Sequence, residues 1–218
     1  MNVILLGPPG AGKGTQARRL EALLDLPHVS SGDLFRDIRR EDTPLAQEVK
    51  QYMDAGRYVP DALTIELILR RLSQPDTSHG FILDGFPRTL PQAHALDRAM
   101  LEAGRAIELA VHLVVPNDIL RERIRDRIIC PQCHAIYNQV SNPPREEGAC
   151  DTCGHALERR TDEEAEALSA RLESYVEQTR PLVDYYSARG VLSEVDGSRP
   201  MAEVNDFVDG VLGLRGVS

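Results

Sequence analysis

The sequence has little positive charge, and almost none of that charge comes from lysine. Its 218 residues contain 25 lysines and arginines against 34 aspartates and glutamates, which gives a formal net charge of −9. Lys13 and Lys50 are the only lysines, so nearly every cation is an arginine. An acidic chain of this kind has no overall attraction for nucleic acid or for an anionic membrane. We therefore expect neither as a partner, and a polyanionic ligand would need a local cluster of cations.

Long apolar runs are also missing, and we expect no leader segment. No apolar run approaches the roughly 18 residues that a membrane-spanning helix requires. The first residues, MNVILLG, are too few and too uncharged for a signal peptide. We therefore expect a cytoplasmic protein, and a monomer. With 42% apolar and 27% charged residues, the chain suits one soluble domain with insertions that buries a core without disulfides.

The cysteines occur as two pairs with the pattern C-x2-C-x16-C-x2-C, which is typical of zinc sites. Four thiolates complete a tetrahedral shell, so the metal would be structural rather than catalytic. Two disulfides or a redox-active pair are the alternatives. A cytosolic chain disfavours stable disulfides, and a redox site needs only one pair. His134 or His155 could also replace one ligand in the set Cys130, Cys133, Cys150 and Cys153.

Strands and helices are predicted to alternate, which indicates an α/β fold with a parallel sheet. Short apolar segments predict strands at residues 3–6, 28–29, 81–83, 109–115 and 191–195. Apolar spacing predicts helices around residues 65–72, 163–187 and 201–211, the second interrupted at Pro181. The apolar stripe of that second helix is predicted to contain Leu168, Leu172, Tyr175 and Val176. Residues 30–59 and 127–160 do not fit the alternation, so we expect them to leave the sheet.

A glycine-rich segment, GPPGAGKGT at residues 7–15, lies between the first predicted strand and a helix. This is the setting of a phosphate-binding loop, in which backbone N–H groups and the helix N-terminus face phosphate oxygens. Lys13 would contact the β- and γ-phosphates. Gly14 stands where most such loops have a Ser or Thr that binds magnesium, and Thr15 follows it. We therefore expect magnesium to be held mostly through water, with help from Asp84.

Several arginines are placed where they could bind phosphate. Phosphoryl transfer between two anionic substrates needs fixed cations, and the planar guanidinium group can bind phosphate through two hydrogen bonds. Arg88 follows the segment LDGFP at the carboxyl end of a predicted strand, which is where α/β sheets bind their ligands. The other candidates at element ends or in predicted loops are Arg36, Arg123, Arg127, Arg160 and Arg171.

In this order, the motifs resemble those of the adenylate kinases, in the long form with a zinc-bearing lid. They are residues 7–15, 30–36, 54–59, 83–88 with Gln92, 122–127, the two cysteine pairs, 160–162, Arg171 and 196–199. The resemblance covers nearly the whole chain. It implies a three-layer P-loop NTPase fold with a five-stranded parallel sheet and a core of residues 1–29, 60–126 and 164–218. It also implies a helical insertion (residues 30–59) that binds the nucleoside monophosphate, and a zinc-binding lid (residues 127–163).

The resemblance implies reversible transfer of the γ-phosphoryl group from Mg-ATP to AMP, giving two ADP. The ATP-binding positions would be Gly10, Ala11, Gly12, Lys13, Gly14, Thr15, Arg123, Arg127, Ile136, Tyr137 and Arg199. The AMP-binding positions would be Ser31, Arg36, Arg57, Tyr58, Val59, Gly85, Phe86, Pro87, Arg88, Gln92, Arg160 and Arg171. The catalytic cations would be Lys13, Arg36, Arg88, Arg123, Arg160 and Arg171.

Individual roles also follow from the resemblance. Arg36 and Arg88 would clamp the AMP phosphate, and Gln92 would read the adenine edge. Asp84 would orient magnesium-bound water, and Asp162 would help to hold the lid closed. The cofactors are Mg2+ with ATP and a structural Zn2+ on the four cysteines. The chain departs from the common family residues at Ser31, Asp126, His134 and Glu163, where relatives often have Thr, Gly, Gly and Asp.

Three alternatives remain open. A sister nucleoside monophosphate kinase would use GTP as donor or CMP or UMP as acceptor, although Gln92 and the long lid favour AMP. A zinc-ribbon ATPase that binds nucleic acid would need clustered cations around the ribbon. Residues 130–153 contain only Arg145 as a full cation, against three carboxylates. A GTPase-like switch is disfavoured by Gly14 and by the absence of an Asn-Lys-x-Asp motif.

Overall fold

The computed structural model describes residues 1–160 and 165–214. Its strands are β1 (Asn2–Leu6), β2 (His28–Ser30), β3 (Phe81–Asp84), β4 (Leu109–Val114), β5 (Arg127–Ile129), β6 (Ile136–Asn138) and β7 (Leu192–Asp196). Its α-helices are α1 (Lys13–Leu24), α2 (Ser31–Ile38), α3 (Pro44–Asp54), α4 (Asp61–Leu72), α5 (Leu90–Glu102), α6 (Asn117–Arg125), α7 (Ala165–Ser174), α8 (Pro181–Ala188) and α9 (Met201–Val211). All five predicted strands are confirmed, each within one residue of its predicted ends.

Five parallel strands form the central sheet in the order β2-β3-β1-β4-β7. Strand β1 lies in the middle, where Leu5 is in register with Asp84 of β3 and Val111 of β4. All of β1 is buried. Val3 packs into the core on one face and Ile4 into the core on the other, because side chains alternate along a strand. The carboxyl ends of the strands therefore meet along one edge of the sheet.

Helices cover both faces of this sheet and complete three layers. On one face, α1, α6 and α9 contribute Leu20, Leu120 and Val204 to the core. On the other face, α4, α5 and α8 contribute Ile68, Leu96 and Leu182. The predicted P-loop NTPase architecture is confirmed. No helix within the described residues is both long and apolar enough to span a bilayer.

The interruption at Pro181 is confirmed, and it takes the form of a π-helical turn at Tyr175–Thr179. Proline has no N–H, so α8 begins at Pro181. Ahead of it, the N–H of Arg180 donates to the carbonyl of Tyr175 at 2.9 Å, five residues back. The wider turn rotates the residues that follow α7, and Val176 is 56% exposed. Its predicted place on the apolar stripe was therefore wrong, and the predicted start at residue 163 lies outside the described residues.

The helical insertion packs around a small apolar cluster to which α4 also contributes, through Leu67. Ser30 ends β2 and caps α2, since its Oγ accepts a hydrogen bond from the N–H of Asp33 at 3.2 Å. Phe35, Val49 and Val59 are buried together in a cluster separate from the cores on the sheet. A few buried apolar groups hold this segment together, and the main chain returns to the sheet through α4.

The described part of the lid is a short antiparallel hairpin with two cysteine-bearing turns. Strands β5 and β6 pair with Ile128 opposite Tyr137. A separate buried cluster contains these two residues with Cys130 and Cys150, and Leu157 packs against it. The apolar core is small for a segment of this length, which makes a metal or another cross-link the expected source of its rigidity.

Candidate active site

A cavity of about 810 Å3 opens at the carboxyl ends of the parallel strands. Its walls come from the glycine-rich loop, the helical insertion, the lid, and the loops after β3 and β7. The predicted residues that line it are Gly10, Ala11, Gly12, Lys13, Gly14, Thr15, Ser31, Arg36, Arg57, Tyr58, Val59, Asp84, Gly85, Pro87, Arg88, Gln92, Arg123, Arg127, Ile136, Tyr137, Arg160, Arg171 and Arg199. Segments that are far apart in sequence therefore meet in one cavity.

Phe86 is an exception among the predicted site residues. Its side chain is fully buried in the core beneath the sheet rather than lining the cavity. The sequence segment GFPR does not indicate whether its aromatic ring packs in the core or contacts a ligand. The predicted AMP contact at this position can therefore involve only the backbone. Asp162 and Glu163 lie outside the described residues.

The glycine-rich loop leaves the N-terminus of α1 without a side-chain cap. Gly12 precedes the helix with φ of 96°, and as the N-cap residue it has no side chain that could accept a hydrogen bond from the first N–H groups of the helix. These groups can therefore donate to an anion, as in other phosphate-binding loops. At Gly10, φ is 84° and an added Cβ would lie 3.0 Å from Ile124 Cδ1. The loop conformation thus depends on glycine.

Lys13 is held over the loop. Its Nζ donates to the carbonyl oxygens of Gly7 at 2.8 Å and of Pro8 at 3.0 Å. Burial lowers the pKa of Lys13 to about 8; the carboxylate of Asp84 opposes this lowering. The charges of Arg88, Arg171 and Arg127 lower the pKa further. Cations from the β3 loop, from α7 and from the lid therefore converge on this ammonium group.

Asp84 is the carboxylate whose charge acts on Lys13. Burial alone would raise its pKa, but His28, Lys13 and Arg88 together lower it to about 2. His28 Nε2 lies 3.7 Å from Asp84 Oδ2. Asp84 is therefore ionised at neutral pH. An ionised carboxylate beside a phosphate-binding loop is the kind of group that orients water around magnesium.

Gly14 lies close to side chains of the lid and of β3. A Cβ there would lie 2.9 Å from Ile136 Cδ1 and 3.3 Å from Asp84 Oδ2. A side chain at this position would therefore require the end of the Ile136 side chain to shift. The carboxylate of Asp84 occupies the neighbouring space, which agrees with the expectation that it takes over the magnesium-orienting work.

Arg88 is aimed by three contacts. Its Nε donates to the carbonyl of Gly85 at 2.7 Å, and its Nη2 lies 3.4 Å from Ser31 Oγ. The hydroxyl of Ser31 also donates to the Gly85 carbonyl, at 2.6 Å. The guanidinium group lies over the ring of Tyr58, with Cζ 4.9 Å from the ring centroid. Contacts within the protein thus fix the conformation of Arg88.

Thr179 supports this arrangement and was missed by the sequence analysis. Its Oγ1 donates to the carbonyl of Arg88 at 2.9 Å and lies 2.8 Å from the hydroxyl of Tyr58. It belongs to the π-helical turn, so it joins that turn to the helical insertion and to the loop after β3. No motif or spacing marks this threonine, because its partners lie far away in sequence.

The remaining predicted arginines differ in burial and in their contacts within the protein. Arg123, Arg127, Arg160 and Arg171 line the cavity, and burial lowers the pKa of Arg123. Arg36 forms an ion pair with Asp33 one turn earlier on α2. Arg57 is exposed, with Cζ 5.6 Å from the ring centroid of Tyr52. At the rim, Arg199 pairs with Asp196 at 3.1 Å and Glu203 at 3.4 Å.

The four cysteines come together in the lid as free thiols. Their sulfur atoms all lie within 4.8 Å of one another, with separations of 3.4 Å for Cys130–Cys153 and 3.5 Å for Cys133–Cys150. These distances exclude disulfides, whose sulfurs are about 2.05 Å apart. A tetrahedral shell with metal–sulfur bonds of about 2.3 Å places sulfurs roughly 3.8 Å apart, so the cluster fits a metal ion such as zinc.

Two residues near this cluster have contacts that the sequence did not reveal. The hydroxyl of Tyr137 lies 3.5 Å from Cys150 Sγ and accepts the N–H of Asp151 at 2.8 Å. Tyr137 is 7% exposed, so its side chain mainly supports the cysteine turns. His134 lies outside the four-sulfur group, and its Nε2 is 3.1 Å from Asp37 on α2.

Comparison with known proteins identifies the family. A family model described as adenylate kinase matches residues 5–191. The adenylate kinase of Syntrophomonas wolfei is 49% identical over 204 residues, covering 94% of this chain and 95% of that protein. The adenylate kinase of Moorella thermoacetica is 48% identical, covering 94% of this chain and 94% of that protein. The adenylate kinase of Lachnospira eligens is 46% identical, covering 98% of this chain and 100% of that protein. This chain therefore belongs to the adenylate kinase family.

Proposed function

We propose that the cavity at the sheet edge is where the chain carries out its reaction, the reversible transfer of the γ-phosphoryl group from Mg-ATP to AMP. The products in that direction are two molecules of ADP. The observation that carries the proposal is the convergence of cations on Lys13. Arg88 comes from the loop after β3, Arg171 from α7 and Arg127 from the lid, and each lowers the pKa of Lys13.

This convergence suits transfer between two anionic substrates. Catalysis of phosphoryl transfer consists mainly of positioning and of stabilising negative charge on the transferring group. ATP would bind with its phosphates over the loop of residues 10–15 and its base side against Arg123 and Arg199. AMP would bind on the other side, with its phosphate on Arg36 and Arg88. The transferring group would then pass between the substrates next to Lys13, Arg160 and Arg171.

Magnesium would enter with ATP beside Asp84. The ionised carboxylate lies beside the loop, and its pKa of about 2 keeps it charged throughout the working pH range. When bound, the metal ion neutralises charge on the β- and γ-phosphates. Gly14 leaves the loop without a hydroxyl ligand, so water oriented by Asp84 would complete the shell of the metal ion.

We propose that the chain works as three parts, with the boundaries predicted from the sequence. These are a core of residues 1–29, 60–126 and 164–218, the helical insertion of residues 30–59, and the lid of residues 127–163. Supporting this division, the lid has a small apolar cluster apart from the sheet, and so has the helical insertion, together with Leu67 of α4. Closure of both over the substrates would exclude water that could otherwise accept the phosphoryl group.

We also propose that the lid holds zinc on its four cysteines. A closed shell of four thiolates has no open position for substrate, so the ion would be structural. It would give the small hairpin a fixed shape, allowing the lid to move as a unit. We propose a cytoplasmic monomer, and the acidic net charge argues against nucleic acid and anionic membranes as partners. Light scattering that gave twice the chain mass of 24.2 kDa would contradict the monomer.

The test is product analysis after incubation with Mg-ATP and one of AMP, GMP, CMP or UMP. We expect stoichiometric ADP with AMP alone. Replacement of Arg88 by Met should lower kcat/KM for AMP by about 100-fold or more, the typical loss for a fixed electrostatic contact in a transition state. The matched control is Arg189→Met, since Arg189 pairs with Asp97 away from the cavity. ATP hydrolysis without phosphorylation of any acceptor would refute the proposal.

A further inference from the structure

Gln92 has both ends of its amide group engaged within the protein. Its Oε1 accepts a hydrogen bond from the backbone N–H of Arg88 at 2.8 Å. Its Nε2 donates to Asp61 Oδ1 at 2.6 Å. The side chain is 1% exposed yet belongs to the cavity wall. This buried residue of the cavity wall is therefore held by two partners within the protein, the backbone N–H of Arg88 and the carboxylate of Asp61.

These partners determine which way the amide faces. A backbone N–H can only donate, so the atom opposite Arg88 N must be the amide oxygen. An ionised carboxylate can only accept, so the atom opposite Asp61 must be the amide nitrogen. Rotating the amide by half a turn would place two donors together at Arg88 and two acceptors together at Asp61. Both hydrogen bonds oppose that rotation.

Asp61 is itself fixed in place. It is the first residue of α4, where the helix N-terminus favours a negative charge. Its second oxygen, Oδ2, accepts the hydroxyl hydrogen of Thr89 at 2.9 Å. Thr89 caps α5, and its Oγ1 also accepts the N–H of Gln92 at 3.3 Å. Each hydrogen bond of this network therefore has an assigned donor and an assigned acceptor.

The locked amide retains one lone pair on Oε1 and one hydrogen on Nε2. This pair matches adenine, whose Watson–Crick edge offers an N6–H donor beside the N1 acceptor. Hypoxanthine and guanine offer the reverse, an O6 acceptor beside an N1–H donor. A free amide could rotate to suit either base, whereas a locked amide suits only adenine.

We propose that Asp61 is a positioning residue that sets the base specificity of the acceptor site by fixing the amide orientation of Gln92. This inference rests on the proposed function, because it requires AMP to bind with its base against Gln92. It assigns no direct substrate contact to Asp61, which lies behind Gln92. A specificity element built in this way discriminates by leaving polar groups of the wrong base unpaired or opposed.

The first test uses the unmodified protein with three acceptors of similar shape: AMP, IMP, and purine riboside monophosphate, which has only hydrogen at C6. A locked amide predicts kcat/KM in the order AMP, then the purine analogue, then IMP, because only IMP opposes both amide atoms. A freely rotating amide would instead give similar values for AMP and IMP, with the purine analogue lowest. That order would overturn the inference and leave the proposed function standing. If none of the three acceptors is phosphorylated, both this inference and the proposed function are refuted.

The second test removes the carboxylate. Asp61→Ala should lower the AMP-to-IMP ratio of kcat/KM by about tenfold, a typical share for one buried hydrogen bond to a charged group. Asp61→Asn, which can still accept from Nε2, should retain more of the ratio. The matched control is Asp76→Asn, since Asp76 pairs with Arg71 outside the cavity. An unchanged ratio in Asp61→Ala, with equal losses for both acceptors, would show a merely structural role.

Discussion

The chain's two lysines allow the cost of a buried catalytic charge to be measured. Burial lowers the pKa of Lys13 from its ordinary 10.5 to about 8 in the folded protein, whereas the unfolded chain keeps the ordinary value. Between these two pH values the unfolded chain binds the proton and the folded protein has released it. Stability therefore rises with pH through this window, and that gain is lost as the pH falls through 8.

The magnitude follows from the same two values. The lowering corresponds to about 3 kcal/mol at roughly 1.4 kcal/mol per unit of pKa. Replacing Lys13 by Met removes this pH dependence, while the two lost hydrogen bonds to Gly7 and Pro8 add an offset that does not vary with pH. We therefore expect the free energy of unfolding of the unmodified protein to rise by about 2.5 kcal/mol, relative to Lys13→Met, between pH 7 and pH 10.

Urea unfolding at pH 7, 8, 9 and 10 measures this difference. All other titrating groups are shared by the two proteins, so their contributions cancel. Lys50→Met is the matched control, because Lys50 is exposed on α3 and its replacement should give a curve parallel to that of the unmodified protein. Parallel curves for Lys13→Met as well would refute the reasoning. At pH 9, binding of Mg-ATP should also take up nearly one proton, measured by calorimetry in two buffers.

Three further results are expected. Thr179→Val should destabilise the protein by about 1–3 kcal/mol, because the hydroxyl of Tyr58 and the carbonyl of Arg88 lose a partner. The same substitution should raise KM for AMP but not for ATP in steady-state kinetics. Equal changes in KM for both substrates would contradict this. Gly56→Ala should weaken AMP binding in calorimetry, since φ is 65° and the added Cβ would lie 2.3 Å from the carbonyl oxygen of Ala167; unchanged affinity would show that the helical insertion does not need this close approach. Verified removal of the lid metal should lower the melting temperature and leave the far-ultraviolet signal of the sheet; an identical melting curve would contradict a structural metal.

The sheet could be predicted because its signals are local. Buried parallel strands appear as apolar runs, and the glycine-rich segment between residues 7 and 15 requires a strand before it and a helix after it. The candidate site could be placed because its motifs stand at the carboxyl ends of those strands. The four cysteines could be grouped from spacing alone, since each pair fits one tight turn.

The features that were missed depend either on a local change of helix register or on contacts between distant segments. Val176 is exposed because a π-helical turn changes the register within a helix, and no composition signal marks such a turn. Phe86 is packed into the core, although its neighbours line the cavity. Thr179 and Asp61 act on Arg88 and Gln92 through single hydrogen bonds across the fold. Nothing in the order of residues determines such partners.

The crowding of cations in the cavity gives a physical reason for using arginine rather than lysine there. Ten cationic side chains and four carboxylates from the described residues line it, although the whole chain has a formal net charge of −9. Lys13 shows what this crowding does to an ammonium group, because its pKa falls to about 8. Guanidinium groups keep their charge under the same conditions, since their ordinary pKa lies above about 12. A cavity built from lysines would lose charge near neutral pH, whereas this one retains it until two nucleotides supply the opposite charge. Because those phosphates also relieve the repulsion among the cations, substrate binding should favour the closed arrangement of lid and helical insertion.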